Sequence, residues 1–157
     1  MHIVIAAIGR GRKDAPEALL VSEYARRIAG LGAGIGIGPL ELRELEDRPA
    51  GRSEREGELL LAQVSAGALP VALDVTGRSF ATEAFAGWLA AQRDEGCREM
   101  VFLIGGADGL ADSVRQRARL RLSLGAMTWP HMLARAMLSE QIYRAVTILA
   151  NHPYHRG

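Results

Sequence analysis

This chain of 157 residues is short of several residue types, and each shortage excludes a class of protein. Cys97 is the only cysteine, so there is neither an internal disulfide nor a multi-cysteine metal site, and a reducing compartment is favoured. Lys13 is the only lysine, and the absence of a Gly-Lys-Ser/Thr sequence argues against a nucleoside-triphosphate P-loop. No apolar run approaches the length of a membrane span, so we expect a cytoplasmic protein that does not contact a membrane.

The chain also has little net charge. A formal charge of +1 does not by itself make a polyanion binder, so any nucleic-acid surface must come from local clusters of arginine. The composition, 48% hydrophobic and 24% charged, is that of a globular protein, and the length predicts one domain over residues 1–157. The apolar start Met1–Ile8 lacks a preceding basic region, so we interpret it as a buried strand rather than a signal peptide.

Apolar runs with strand character alternate with amphipathic helical stretches along the chain. The predicted strands are His2–Ile8, Ile35–Leu42, Pro70–Val75, Met100–Ile104 and Leu120–Leu124. The predicted helices are Pro16–Ala29, Ser53–Ser65, Ala81–Glu95, Ala111–Ala118 and His131–Leu149. This alternation predicts an α/β domain with a mainly parallel sheet and helices on both of its faces.

Local signals support several of these boundaries. Pro16 suits a first helical turn, and Ser53 with Glu56 has the spacing of a capping box. Gly30 is placed just after the end of a helix. We interpret the glycine-rich stretch Gly30–Gly38 as a loop that leads into an edge strand.

In open α/β sheets ligands bind beyond the carboxyl ends of the strands, which directs attention to three junctions. The first, Asp74 to Arg78, is weak because such turns are common. The second runs from Gly105 to Leu110 and has a Gly-Gly-x-x-Gly turn before a helix, although it lacks the first glycine of a dinucleotide fingerprint. The third, Gly125 to Pro130, places small residues beside Met127 and Trp129, which can wall an apolar pocket or simply belong to the core.

The last seven residues, Asn151–Gly157, carry an unusual concentration of chemistry for a chain end. They include His152, Tyr154, His155 and Arg156, whose side chains move protons, stack on bases and grip phosphates. The alternative is a solvated cap in which Pro153 stops the preceding helix. On that helix, Arg135 lies one turn past His131; charged helix residues are usually solvated, so Arg135 is only a candidate site residue.

Taken together, these segments resemble the SPOUT methyltransferases, and among them the enzymes that methylate N3 of a pseudouridine in large-subunit (23S) ribosomal RNA. The resemblance is densest over the last third of the chain. It rests on the spaced motifs Leu103–Leu110, Leu122–His131, Glu140–Ala145 and Asn151–Arg156. Ala107 and Asp108 stand where some relatives have Pro-Glu, but the glycines are kept.

The resemblance implies a C-terminal trefoil knot, a homodimer and an activity that uses S-adenosylmethionine on assembled ribosomes. It implies that the cofactor is bound, mostly by backbone groups, at Leu73, Gly106, Gly125, Ala126, Met127, Thr128, Trp129 and Pro130. It also implies that the tail and Arg135 meet the RNA and the reacting base, and that no metal takes part. His155 or His152 is then the candidate base for the N3 proton, while Arg156 or Tyr154 stabilises charge or stacks on the base.

Three other functions are weighed against this one. A non-enzymatic RNA-binding or ribosome-associated factor predicts the same fold without cofactor binding. A nucleotide-binding enzyme is disfavoured by the missing P-loop lysine. A zinc enzyme using His131, His152 and His155 is disfavoured because no His-Glu-x-x-His pattern exists.

Overall fold

A five-stranded, all-parallel sheet forms the centre of the computed structural model, which describes residues 1–46 and 53–156, the last two as backbone only. The strands are β1 (His2–Ile8), β2 (Leu40–Leu45), β3 (Leu69–Ser79), β4 (Glu99–Ile104) and β5 (Leu120–Ser123), in the order β2-β1-β4-β3-β5. The helices are α1 (Pro16–Gly32), α2 (Ser53–Leu61), α3 (Thr82–Asp94), α4 (Asp112–Arg117) and α5 (His131–Leu149). Short 3₁₀ turns cover Ala33–Ile35 and Pro153–Arg156.

The interior strand β1 shows why helices cover both faces of this sheet. Its side chains alternate, and all of them from Ile3 to Ile8 are fully buried. Ile3, Ile5 and Ala7 belong to one apolar cluster with residues of α1, α3 and α5. Val4, Ala6 and Ile8 belong to a second cluster with residues of α2 and α4. The predicted α/β architecture is therefore confirmed.

The predicted bounds of β1 and α5 are confirmed to the residue, whereas the second strand is wrong. It was predicted at Ile35–Leu42 but lies at Leu40–Leu45. The alternating Gly-Ile pattern imitates a strand, yet Gly36 and Gly38 have φ values of 70° and 97°, which a strand does not accommodate. The stretch does lead into an edge strand, as predicted.

The end of α1 also differs from the prediction. Gly30 lies inside the helix, which continues to Gly32. Gly32 is where the chain needs a glycine, because a Cβ there would overlap the carbonyl oxygen of Ile37. The helix α2 begins at Ser53 as predicted but ends at Leu61 rather than Ser65, and the residue preceding Ser53 lies outside the described residues, so the capping box is not tested.

Candidate active site

A pocket of about 720 Å³ lies at the carboxyl ends of β4 and β5, the edge where parallel sheets bind ligands, and beside the irregularity in β3 that follows Leu73. Its walls combine the three junctions singled out in the sequence. The predicted cofactor residues that line it are Leu73, Gly106, Gly125, Met127, Thr128, Trp129 and Pro130. Ala126, which was also predicted, does not line the pocket.

The floor between β4 and α4 is a tight glycine turn. The Gly109 N–H donates to the carbonyl of Gly106 at 3.1 Å, and Gly109 has a φ of 78°. A Cβ at Gly105 would lie 2.5 Å from the carbonyl oxygen of Gly109, so the turn closes only without a side chain there. The glycines thus bring bare backbone to the pocket wall.

The opposite wall is the loop from Gly125 to Pro130. Its start is fixed by the Gly125 N–H, which donates to the Ser123 hydroxyl at 3.1 Å. Met127 is 69% exposed, which is unusual for so apolar a side chain. The indole N–H of Trp129 is buried and has no hydrogen-bond partner among the described residues. Pro130 directly precedes α5 rather than lying in its first turn.

The pocket also contains a charged pair that the sequence did not indicate. The carboxylate of Asp74 accepts a hydrogen bond from Arg115 at 2.8 Å and two more from Thr76 at 2.9 Å. Burial raises the pKa of Asp74, but these hydrogen bonds outweigh it and hold the pKa below its ordinary value. Asp74 belongs to the first junction indicated by the sequence, whereas nothing in the helical pattern around Arg115 points to the pocket.

Arg135 does not lie on a solvated face; that expectation is wrong. The side chain is only 2% exposed, and its guanidinium donates to Glu44 at 2.8 Å and to the carbonyls of Ile8 and Gly9 at 2.6 and 2.9 Å. Burial lowers the pKa of Arg135, which the nearby Glu44 carboxylate partly offsets. Arg135 therefore ties the first turns of α5 to the ends of β1 and β2.

The C-terminal tail folds back onto the far end of α5. The ring centroids of Tyr154 and Tyr143 lie 4.7 Å apart, and Cζ of Arg144 lies 5.1 Å from the centroid of the Tyr154 ring. Its hydroxyl donates to Glu140 at 3.3 Å, and Glu140 also binds Arg144 at 2.9 Å. Burial, together with a hydrogen bond that the Tyr154 hydroxyl shares with Tyr24, raises the pKa of Tyr154 to about 12, so the phenol stays protonated at neutral pH.

The histidine at the start of the tail is already engaged with it. The backbone N–H of Tyr154 donates to Nδ1 of His152 at 3.3 Å. In a neutral imidazole whose Nδ1 accepts, Nε2 carries the proton. His155 and Arg156 continue the 3₁₀ turn that begins at Pro153.

Within one chain, the tail and the pocket are kept apart. Ala134 is the last residue of α5 that lines the pocket, and Tyr143, which holds the tail, follows nine residues later, about 14 Å along the helix. The two residues described beyond Tyr154 span about 7 Å when extended. The structure therefore brings the predicted cofactor residues together, but it does not bring the tail to them, and it separates His131 from His152.

The fold and pocket define an α/β protein with an open cleft at the carboxyl ends of β4 and β5, the edge at which open sheets bind ligands. A comparison with protein families finds a match over residues 1–155 to the family described as "Predicted SPOUT methyltransferase". Since the match covers almost the entire chain, the protein belongs to the SPOUT methyltransferase family, as its motifs indicated.

Curated relatives match this chain over all or almost all of their length. The chain is 50% identical over 161 aligned residues to a protein of Xanthobacter autotrophicus, covering 100% of both chains. It is 47% identical over 156 residues to one of Dinoroseobacter shibae, covering 99% of both, and 49% identical over 161 residues to one of Rhodospirillum centenum, covering 100% of both. All three relatives are named "Ribosomal RNA large subunit methyltransferase H". No helix among the described residues is long and apolar enough to span a membrane.

Proposed function

We propose that this protein transfers a methyl group from S-adenosylmethionine to N3 of a pseudouridine in large-subunit (23S) ribosomal RNA. The observation that carries the proposal is the pocket at the carboxyl ends of β4 and β5, whose walls contain all but one of the predicted cofactor residues. The names of relatives about half identical to the chain support ribosomal RNA as the substrate. We propose that the enzyme acts on this RNA within the assembled ribosome.

The residues around the pocket fit this cofactor. S-adenosylmethionine carries an ammonium, a carboxylate and a sulfonium, and the pocket offers both signs of charge through Asp74, Asp108 and Arg115. Leu73, Met127 and Trp129 supply apolar surface for the remainder of the molecule. The buried indole N–H of Trp129 is a donor that a bound acceptor can satisfy.

When bound, the cofactor supplies a methyl group that is already activated on a sulfonium. The chain's own residues then have two tasks, which are to orient the base and to take its N3 proton. We assign the proton to His155, because Nδ1 of His152 already accepts a hydrogen bond from the tail. We assign stabilisation of the developing negative charge to Arg156. Tyr154, protonated and packed on Tyr143, positions both residues.

We further propose that the active unit is a homodimer in which the tail of one copy completes the pocket of the other. The separation of about 14 Å along α5 between Ala134 and Tyr143 supports this arrangement, because a docked tail falls short of its own pocket. The trefoil knot belongs to the same proposal. A Cβ at Gly77 in β3 would lie 2.5 Å from the carbonyl of Arg121, which is the close backbone approach that a tightly threaded chain needs.

Complementation tests the function and the shared site together. One variant carries H155A and R156A, the other G105V, and each is inactive alone on large ribosomal subunits that lack the methyl group. If the site is shared, mixing them at equal concentration restores about a quarter of the wild-type rate, since half of the dimers contain one intact site. No restoration contradicts the shared site. A wild-type protein that binds no S-adenosylmethionine and methylates no ribosomal RNA contradicts the function itself and favours a non-enzymatic binding factor.

A further inference from the structure

Three exposed arginines lie together at one edge of the sheet. Arg117 ends α4, Arg119 directly precedes β5, and Arg121 lies within β5. All three are exposed, and none forms an ion pair with a carboxylate anywhere in residues 1–46 and 53–156. Their neighbour Arg115 differs, because it is paired with both Asp74 and Asp112.

Their direction follows from the strand. Leu120 and Leu122 pack against the apolar cluster on the α5 side, so the alternating residues Arg119 and Arg121 project from the opposite face. Residues two positions apart in a strand are about 7 Å apart, so the charges of Arg119 and Arg121 follow each other along the edge. Arg121 lies three residues before Leu124 of the pocket wall, about 10 Å along the chain. This row of positive charge therefore leads toward the pocket.

The opposite edge of the sheet shows that an exposed edge does not require unpaired charge. At β2, Arg43 pairs with Glu41 at 2.9 Å, and Glu44 pairs with Arg135 at 2.8 Å. At β5 no such neutralisation is available locally, because no acidic residue occurs between Asp112 and Glu140. Charges protect sheet edges from pairing with other chains, but pairs of both signs do this at β2.

We propose that Arg117, Arg119 and Arg121 dock the sugar-phosphate backbone of the substrate RNA beside the pocket, an inference that rests on the proposed function. Guanidinium groups bind phosphate oxygens in a two-pronged geometry and stay charged at every physiological pH. Because the chain as a whole has a net charge of only +1, this local row supplies the attraction that a global field does not. Such contacts carry affinity and position rather than sequence recognition.

The test compares the wild type with R117Q/R119Q/R121Q on large ribosomal subunits lacking the methyl group. Each lost phosphate contact lowers the slope of log affinity against log salt, so we expect the slope to fall by about 2 and the Kd to rise on the order of ten-fold. The kcat at saturating subunits and the Kd for S-adenosylmethionine should not change. R117K/R119K/R121K should restore the slope, because it restores the charge.

A charge-matched control removes three exposed arginines elsewhere, as R26Q/R55Q/R98Q, and should leave the slope unchanged. If both triple variants have the same slope, the inference is wrong even though wild-type methylation stands. The inference is also wrong if R117Q/R119Q/R121Q alters the sedimentation of the free protein, because this edge of the sheet then forms contacts between copies of the chain. Failure of the wild type to transfer a methyl group is a separate result, which counts against the proposed function only.

Discussion

The two ends of α5 are fastened to the protein in different ways. Near its start, Arg135 is buried and anchors the helix to Glu44 and to the carbonyls of Ile8 and Gly9 at the carboxyl end of β1. Near its end, the tail is held by the tilted contact of the half-buried Tyr154 ring with the buried Tyr143 ring and by the pair Glu140–Arg144, whose side chains are 19% and 27% exposed. The comparison indicates a preformed pocket and a tail whose docking is weaker, which suits a tail that must adapt to a partner and an RNA.

The first prediction attacks the stronger fastening. R135M removes the donor to Glu44 and leaves the carbonyls of Ile8 and Gly9 without it, so we expect a loss of about 3 kcal/mol in the free energy of unfolding. Denaturant unfolding measures it. R26M, which breaks a solvent-exposed ion pair on the surface of α1, should cost far less. Equal losses would show that Arg135 is no anchor.

The second prediction concerns the pocket floor. G105A forces a Cβ to within 2.5 Å of the Gly109 carbonyl, so the turn must shift and the Kd for S-adenosylmethionine should rise about 100-fold. Calorimetry on the purified protein measures the Kd directly. G87A is the control, because a Cβ at this exposed position of α3 meets nothing within 4 Å. An unchanged Kd for G105A would remove the glycine turn from the site.

The third prediction concerns the weaker end. Y154A removes the contact with Tyr143, and we expect kcat to fall about ten-fold through loss of tail positioning while the Kd for S-adenosylmethionine is unchanged. Y154F keeps the ring and should retain most of the activity. If Y154F is as defective as Y154A, the hydroxyl rather than the packing has the main role, and the contrast between the two ends of α5 needs revision.

The smallest expected effect concerns pH and the pocket pair. Because the folded-state pKa of Asp74 is lowered, its carboxylate stabilises the fold above the ordinary value of 3.8 and loses this contribution as pH falls through the lower, folded value. The wild type should therefore lose free energy of unfolding as the pH falls below about 4, and D74N should lose less. We expect the difference to be less than about 1 kcal/mol, because Arg115 is partly exposed. Unfolding curves at pH 2 to 6 measure it; identical slopes for both proteins would contradict it.

What the sequence could predict depended on how local the cause was. The bounds of β1 and α5 follow from uninterrupted apolar patterns, and both are confirmed. The false strand at Ile35 arose because side-chain alternation does not report the sign of φ at Gly36 and Gly38. Within the site, Arg135 could not be read correctly, because its partner Glu44 lies 91 residues earlier in the chain.

The placement of the tail also could not be predicted from the sequence. Its composition pointed to chemistry, but nothing in those residues indicates that Tyr154 packs on Tyr143 or that its hydroxyl reaches Glu140. These contacts depend on how the chain returns along α5 after Asn151, a residue with a φ of 54°. Short motifs therefore located the pocket, whereas the placement of the tail required the three-dimensional structure.

The position of Trp129 gives this protein a built-in optical probe. The chain has two tryptophans, and the other, Trp88, is stacked on Phe85 in α3, where the pocket does not reach. In W88F the only indole emission comes from the pocket wall, and its intensity should change when a ligand meets the buried N–H. Rapid mixing can then time the filling of the pocket without any label, and the same signal in Y154A shows whether tail docking precedes or follows it.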